Sequence, residues 1–244
     1  NGMEDLLKYT IKTDLTVNNF TKRTVLSIIA QIFDPLGLIS PVVIKAKIIM
    51  QEWWILKISW DEQLPQEFQV KWVQFMGELS GLNGIRIPRN VIIMYPAQFV
   101  ELHGFSDASM QAYGAVIFVR SLDHNGTYHV RLLCSKSRVA PLKTLSLPRL
   151  ELLGALLLSK LLEKTLSSFD LQINHCFLWS DSTIVLSWIS APPHTWQTFV
   201  ANRVSEIQTI TSNATWSHVS TNDNPADVIT RGMSPQQIKD YNLW

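Results

Sequence analysis

Leucines recur every three or four positions between residues 146 and 162, which predicts an amphipathic helix. Ser146 and Pro148 supply the cap and the first-turn proline with which helices commonly begin. Further leucines widen the apolar surface, so we expect most faces of this helix to be buried. Glu151 lies in its first turns among leucines, and a lone buried carboxylate costs several kcal/mol unless it is paired or bound to a cation. The sequence therefore predicts a partner for Glu151 elsewhere in the chain.

The first part of the chain has a helical pattern. Residues 21–33 have amphipathic helical spacing, and an Asp-Pro-Leu-Gly turn follows them. Ser40-Pro41 then supplies a cap and a first-turn proline for a helix that can run to about residue 60, and a third apolar pattern comes after it. Glycines and prolines at positions 81–96 mark a joint. We therefore expect a small helical domain over residues 1–97 and a second domain over residues 98–244.

After the joint the pattern is typical of β-strands, rich in β-branched and aromatic residues. The predicted strands are residues 99–107, 113–122, 127–139, 174–181 and 215–220. Short turns join the first three into an antiparallel meander, and the apolar run of the fourth is typical of a buried parallel strand. Helices are expected after the third strand, twice after the fourth, and after Asn224-Pro225. This order predicts an α/β fold with a mixed five-stranded sheet and helices on both faces.

Composition narrows the function classes. Hydrophobic residues make up 46% of the chain, enough for a real core, so we exclude a disordered protein. A net charge of +1 excludes a nucleic-acid binder that relies on bulk charge, but not one that uses a local groove or metal ions. Cys134 and Cys176 lie in strand-like runs without CxxC spacing, so we expect reduced thiols in an intracellular protein.

The apolar runs are too short to span a bilayer. Because the chain begins at Asn1, we also expect a piece of a longer protein.

Four acids fall at the ends of predicted elements that face one edge of the sheet. They are Asp107, Glu151, Asp181 and Asp227. Taken singly, Asp107 fits a turn residue, Asp181 an N-cap and Asp227 the N3 acid of a helix. Taken jointly, they would repel one another unless a cation neutralised them. Oxygen ligands without His or Cys indicate Mg²⁺ or Mn²⁺, and two such ions can promote hydrolysis of a phosphodiester.

The four acids lie in the motifs GFSDAS, LPRLEL, LWSDST and NPADVITRG, in this order. As an ordered set, these motifs resemble the four acidic motifs of ribonuclease H. More narrowly, FDPLGLISPV, WWILKISWDEQLP, FSDAS and NPADVITRG resemble the Pol polyprotein of BEL/Pao-type retrotransposons. The resemblance covers nearly the whole chain.

This resemblance implies a ribonuclease H-like domain over residues 98–244, preceded by the thumb or connection end of a reverse transcriptase over residues 1–97. It implies that the four acids are catalytic and bind two Mg²⁺ ions, for which Mn²⁺ can substitute. The expected reaction is endonucleolytic cleavage of the RNA strand of an RNA–DNA hybrid during reverse transcription. The expected partners are the hybrid and the polymerase palm and fingers, with no membrane, in cytoplasmic retroelement particles.

Substrate handling departs from the ribonuclease H pattern in two ways. Many ribonucleases H carry a His-Val-x-Gly-His stretch, whose start matches His218-Val219, but Asn222 occupies the second histidine position. We expect His218 to be structural. No basic insertion occurs between residues 189 and 199, so hybrid binding would need the N-terminal domain.

Several polar residues near the four acids are candidate substrate contacts. They are Lys136, Arg138, Arg149, Asn222 and Arg231. The four cations either bind phosphate groups or are ordinary solvated charges. Trp179, Trp188 and Trp196 are expected in the core and not as base-stacking platforms.

Three alternatives remain open. The first is a non-catalytic module, exapted or degenerate, that binds nucleic acid or a protein, although the intact acids argue against it. An integrase-like transposase would place its glutamate on a late helix after two aspartates, whereas Glu151 comes second. The same region also goes by the name of a Pao retrotransposon peptidase. An aspartic peptidase needs Asp-Thr-Gly or Asp-Ser-Gly, and the stretch Asp181-Ser182-Thr183 lacks the glycine.

Overall fold

The computed structural model of the chain describes residues 5–11, 20–92 and 99–244. The expected domain boundary at residue 97 lies outside these residues and stays a prediction. No helix in these three ranges has the length and apolar character needed to cross a lipid bilayer.

Helices dominate the N-terminal part, as predicted. In chain order its elements are β1 (Leu6–Lys8), α1 (Lys22–Ala30), α2 (Ser40–Ile55), α3 (Gln66–Leu79) and β2 (Arg86–Pro88). β1 and β2 form an antiparallel pair. The helices pack around Trp53 and Trp72, which are fully buried and have ring centroids 6.0 Å apart. These aromatic rings therefore serve helix packing, since burial removes their apolar surface from water.

The remaining strands form the predicted mixed five-stranded sheet. They are β3 (Phe99–Ala108), β4 (Ala112–Leu122), β5 (Tyr128–Val139), β6 (His175–Ser180) and β7 (Thr215–His218). The sheet order is β5-β4-β3-β6-β7. β3, β4 and β5 pair antiparallel, whereas β6 pairs in parallel with β3 and β7 with β6. The carboxyl ends of β3, β6 and β7 therefore meet at one edge, where α/β sheets place their sites.

Helices lie on both faces of this sheet, as predicted. They are α4 (Leu147–Ser167), α5 (Thr183–Ser190), α6 (Thr198–Ile210), α7 (Val228–Arg231) and α8 (Pro235–Lys239). α4 covers one face, where Leu150 and Leu158 join the strand residues Leu102 and Leu178 in one apolar cluster. α5 and α6 pack against the outer side of α4. On the other face, Ile229 of α7 packs against β4.

Two glycines let helices approach the strand ends closely. A Cβ at Gly154 of α4 would lie 2.9 Å from the carbonyl oxygen of Asp107. A Cβ at Gly114 of β4 would lie 2.5 Å from Cδ1 of Ile229 on α7. Because neither glycine has a side chain, α4 and α7 both reach the end of the sheet at which Asp107 lies.

α2 joins the N-terminal helices directly to the sheet. Ile44 and Ile48 pack against Ala112 and Val139, at the ends of β4 and β5. The segment before α2 hydrogen bonds with the edge strand, because the Ser135 amide donates to the Leu36 carbonyl at 2.8 Å. Ile238 of α8 is in turn buried in the N-terminal helical core. The two predicted domains therefore share a packed interface.

Two helix boundaries differ from the predictions. The second helix ends at Ile55 and not near residue 60, because Lys57 adopts a left-handed conformation with φ of 55° that breaks the helical turn. The helix predicted to begin after Asn224 is the single turn α7, which begins only at Val228. The Asn224 amide nitrogen donates to the Ser106 carbonyl at 3.1 Å, and its Oδ1 accepts from the Ala226 amide. Asn224 thus forms a turn tied to β3.

The cysteine and tryptophan predictions have mixed outcomes. Cys134 and Cys176 are both free thiols, the first buried and the second half-buried. Trp188 and Trp196 are half-buried against the core between α4 and α6. Trp179 instead lies half-buried on the other face of the sheet, stacked on His103 and Phe105.

The close approach at Gly154 generates a stability prediction. Gly154→Ala should destabilise the fold by about 1–3 kcal/mol, because α4 must move away from the Asp107 carbonyl. The matched control is Gly77→Ala in α3, where a Cβ meets nothing within 4 Å. Alanine there should stabilise by up to about 1 kcal/mol. Urea unfolding measures both, and equal effects of the two substitutions would contradict the packing argument.

Candidate active site

Neighbouring strand ends bring two aspartates side by side. Asp107 is the last but one residue of β3, and Asp181 directly follows β6. These strands pair in parallel with Ser106 opposite Ser180, and paired strands lie about 4.8 Å apart. Asp107 is buried, with 7% of its surface exposed. The two carboxylates therefore start from adjacent positions at one edge of the sheet.

Two further acids reach this edge from helices on opposite faces. Glu151 lies in α4, and Ser182 Oγ donates a 2.6 Å hydrogen bond to its Oε2. Ser182 also caps α5, since its Oγ accepts from the Val185 amide at 3.2 Å. Asp227 directly precedes α7. The fold thus supplies one acid from each of two strands and two helices.

The ordinary explanations for three of the acids are wrong. Asp107 lies within a strand and not in a turn. The N-cap of α5 is Ser182, which leaves Asp181 free of that role. Asp227 occupies the N-cap position of α7 but makes no capping hydrogen bond. Turn formation and side-chain capping therefore do not account for these carboxylates, although Asp227 forms an i,i+4 ion pair with Arg231.

Each carboxylate has one close polar partner of its own. The partners are Thr230 for Asp107, Ser182 for Glu151, Thr221 for Asp181 and Arg231 for Asp227. The Thr230 hydroxyl lies 2.6 Å from Asp107 Oδ2 and 2.9 Å from the Asp227 carbonyl oxygen. The Thr221 hydroxyl donates to Asp181 Oδ2 at 2.9 Å. Hydroxyl groups from two loops and from α7 thus hold the carboxylates in place.

Burial and charge repulsion disfavour the charged forms of Asp107, Glu151 and Asp227. Burial raises the pKa of Asp107 to about 7, the hydrogen bond from Thr230 opposes this rise, and repulsion by Asp181 and Asp227 adds to it. Burial also raises the pKa of Glu151, against the hydrogen bond from Ser182. The pKa of Asp227 is raised by burial, against the attraction of Arg231. Asp181 repels all three of the other carboxylates.

The chemistry of this donor set fits a hard divalent cation. The acids offer only carboxylate oxygens, which Mg²⁺ prefers. Asp227 Oδ1 is buried and accepts no hydrogen bond. Arg231 Nε lies 2.8 Å from this oxygen and forms an ion pair with it. Within the described ranges, no three His, Cys, Asp or Glu side chains are grouped closely enough to hold one ion in this arrangement. The donor types therefore fit Mg²⁺, while each carboxylate is engaged by its own partner.

A family model described as the Pao retrotransposon-like RNaseH-like domain matches residues 21–182. The chain belongs to this family. The match confirms the predicted retrotransposon family and its ribonuclease H-like domain. It includes Asp107, Glu151 and Asp181, spans the N-terminal helices, and ends before Asp227.

Solved structures with similarity to the chain are ribonucleases H and a reverse transcriptase. RNase H1 from Halobacterium salinarum NRC-1 is 13% identical, with a TM-score of 0.35, over 58% of this chain and 99% of that one. LC11-RNase H1 in complex with an RNA/DNA hybrid is 13% identical, with a TM-score of 0.38, over 57% and 99%. A foamy viral protease-reverse transcriptase in complex with dsDNA is 11% identical, with a TM-score of 0.36, over 57% and 96%. No curated protein sequence gives a significant match.

The five candidate substrate contacts differ in their surroundings. Arg149 lies over the Phe199 ring, 5.1 Å from its centroid, and Arg231 pairs with Asp227. Lys136 and Arg138 are exposed on β5 and form no ion pair among the described residues. The remaining candidate, Asn222, is exposed in a 3-10 turn over Thr221–Asp223. All of these roles stay predictions. His218, expected to be structural, is exposed at the end of β7.

Sequence reasoning missed the hydroxyl partners of the acids. Thr230 follows Asp227 by three positions, a helical spacing that places both on one side of α7. This spacing could have indicated a functional role for Thr230. Thr221 gives no such signal, because its contact with Asp181 joins residues 40 positions apart.

The raised pKa of Asp107 predicts a pH-dependent stability. Its pKa is about 7 in the folded chain against an ordinary 3.8, so the folded state holds the proton more tightly than the unfolded state. This stabilisation is fully present below the ordinary pKa and is lost as the pH rises through about 7. Asp107→Asn does not titrate, so its Tm relative to wild type should rise between pH 4 and pH 8 in EDTA. Asp170→Asn, an exposed control, should follow wild type, and a constant Tm difference for Asp107→Asn would contradict the argument.

Thr230 generates a second prediction for the same carboxylate. Thr230→Val removes the hydroxyl that opposes the raised pKa of Asp107, so that pKa should rise further. At pH 8 the loss should destabilise the fold by about 1–3 kcal/mol, since a buried acceptor loses its donor. Thr230→Ser, which keeps the hydroxyl, should behave as wild type. A ¹³C titration of the Asp107 carboxyl group by NMR measures the change, and identical titrations of the valine and serine variants would exclude this role.

Proposed function

We propose that the chain is a metal-dependent endonuclease that cleaves the RNA strand of RNA–DNA hybrids during retrotransposon reverse transcription. One observation carries the proposal. Acids from two paired strand ends and from helices on opposite faces lie at a single edge of the sheet, where neither Asp181 nor Asp227 makes a helix-capping hydrogen bond. Asp181 there repels each of the other three acids. A bound cation relieves this repulsion, and membership of a retrotransposon RNaseH-like family supplies the reaction class.

Asp107, Glu151, Asp181 and Asp227 are the residues that would hold two Mg²⁺ ions, or Mn²⁺ in their place. When bound, such ions supply a nucleophilic hydroxide from water and stabilise the leaving oxygen of a phosphodiester. The chain itself contributes rigid placement, because Asp107 and Asp181 start from paired strands. Their hydroxyl partners restrict the rotation of the carboxylates before an ion arrives. The expected products carry 5′-phosphate and 3′-hydroxyl ends.

The proposed function also involves the two domains, the substrate and the partners of the chain. We propose that residues 1–97 form the thumb or connection end of a reverse transcriptase and that residues 98–244 form the nuclease domain. Recognition of the hybrid would rest on its shape and on the 2′-hydroxyl groups of the RNA strand. We also propose that the chain works beside the polymerase palm and fingers, in cytoplasmic retroelement particles and without a membrane partner.

A second candidate function is a non-catalytic module that binds nucleic acid or a protein. The observation that favours it is the set of intrinsic partners, since a hydroxyl or a guanidinium group already engages every carboxylate. A chain with such a site would bind its partner without hydrolysing it.

Cleavage of an end-labelled RNA–DNA hybrid with Mg²⁺ separates the two functions. Wild type should cut the RNA strand, and Asp107→Asn should lower the rate about a thousandfold or more, because it removes one member of a site that acts as a unit. Asp170→Asn removes an exposed acid that follows α4 and should keep full activity. Binding of the hybrid without cleavage by wild type would favour the non-catalytic module. Equal cleavage by wild type and Asp107→Asn would show that the site is assigned wrongly.

A further inference from the structure

A cavity of about 630 Å³ lies between the N-terminal helices and the edge of the sheet, separate from the four acids. It is lined by the loop after α1, by α2, by β5 and by the second half of α4. Lys47 of α2, Lys136 of β5 and Lys164 of α4 all line it. We call it the lysine cavity. Three elements that are distant in sequence thus place positive charges on one concave surface.

These lysines have no ion-pair partner among the described residues, unlike Lys45, Lys71 and Lys160. Asp34 is the one described carboxylate in the lining. It already accepts hydrogen bonds from the Tyr9 hydroxyl at 3.1 Å and from the Leu38 and Ile39 amides at 2.8 and 3.0 Å. The cavity therefore carries an excess of positive charge.

Two of the lysines, Lys47 and Lys136, are close enough for one to affect the other. Burial lowers the pKa of Lys47, the attraction of Asp34 opposes this, and repulsion by Lys136 lowers it further. The attraction of an anion in the cavity would oppose both of these unfavourable effects. Three ammonium groups present up to nine N–H donors, which suits the several acceptor oxygens of a phosphate group.

The sheet register relates the cavity to the candidate active site. Lys136 lies opposite Ala115 of β4, and Ala115 lies opposite Ser106, the residue before Asp107. Two strand spacings place the Lys136 backbone about 10 Å from that of Ser106. On α4, Lys164 lies 13 residues after Glu151, which separates their backbones by about 20 Å. Both separations are shorter than one helical turn of a duplex, about 34 Å. A hybrid at the acids would therefore bring further phosphates within reach of the cavity.

We propose that the lysine cavity binds backbone phosphate groups of the RNA–DNA hybrid, with Lys47 supplied by the N-terminal helices. The proposal rests on the nuclease function proposed above. It assigns to α2 a direct share in substrate binding and gives Lys47 and Lys164 a role that the sequence did not indicate.

The test is hybrid binding in the Asp107→Asn background, where cleavage does not interfere. Fluorescence anisotropy of an end-labelled hybrid across a series of KCl concentrations gives the slope of log K against log salt. Each of Lys47→Gln, Lys136→Gln and Lys164→Gln should reduce this slope by about one, and the triple variant by about two to three. Affinity of the triple variant near 0.1 M salt should fall about tenfold or more.

Lys160→Gln is the matched control, because it removes the same charge one turn before Lys164 on α4. Lys160 pairs with Glu206 at 2.7 Å, so its loss should leave the slope unchanged. Lys47→Gln should also keep the wild-type Tm, since the Lys47 side chain is exposed and forms no ion pair among the described residues.

The outcomes separate this proposal from the nuclease proposal. The lysine-cavity proposal is overturned if Lys164→Gln and Lys160→Gln give equal slopes of log K against log salt and the triple variant keeps the wild-type slope. This holds even if wild type cleaves the hybrid. Lysine-dependent binding by a wild-type chain that does not cleave would support the cavity and overturn the nuclease. A chain that binds no hybrid would overturn both.

Discussion

Repulsion among four carboxylates at one sheet edge is the constraint on which this site depends. Asp107 and Asp181 leave paired parallel strands at the same level, so their backbones cannot separate without breaking the sheet. Glu151 and Asp227 are brought in by helices on opposite faces, which glycines allow to approach closely. The fold therefore concentrates negative charge in a partly dry region, where repulsion is stronger than in water.

The hydroxyl groups around the acids relieve part of this repulsion. Thr230, Ser182 and Thr221 each place a hydroxyl against one carboxylate, and hydrogen bonds to a charged acceptor are stronger than those to a neutral one. They do not cancel the charge, because a hydroxyl is neutral and the pKa of Asp107 stays near 7. The arrangement thus holds the carboxylates in place while leaving part of their mutual repulsion.

The N-terminal helices are coupled to this edge through α2. Ile44 and Ile48 cover the ends of β4 and β5, and the Met233 amide after α7 donates to the Pro41 carbonyl at 3.0 Å. α2 therefore supports both the strand ends and the turn that carries Asp227. The same helix supplies Lys47 to the lysine cavity, so one element links the support of the acids to a surface for anions. A substitution in this part of the chain can affect both.

Local patterns along the chain predicted much of this architecture. Strand periodicity, turn residues and the leucine stripe of α4 predicted the sheet and its order, because alternation and helical spacing depend only on neighbours in sequence. The order of the acidic motifs placed Asp107, Glu151, Asp181 and Asp227 on one edge for the same reason. The end of α2 and the start of α7 were mistaken. α2 ends early because Lys57 adopts a left-handed conformation that its residue type does not favour. α7 starts late because the Asn224 side-chain amide donates a hydrogen bond to the distant Ser106 carbonyl.

The sequence by itself therefore determined the elements and the family, and it generated the prediction of the four acids as a site, since each is expressed in residues that are close along the chain. Only the tertiary structure decided which groups neutralise, support or surround those acids. Thr221 donates a hydrogen bond to Asp181 across 40 positions, and Lys136 of β5 repels Lys47 of α2. The physical reason is that hydrogen bonds and charge repulsion act through space over a few ångströms, whereas sequence patterns report only the local backbone and its buried face.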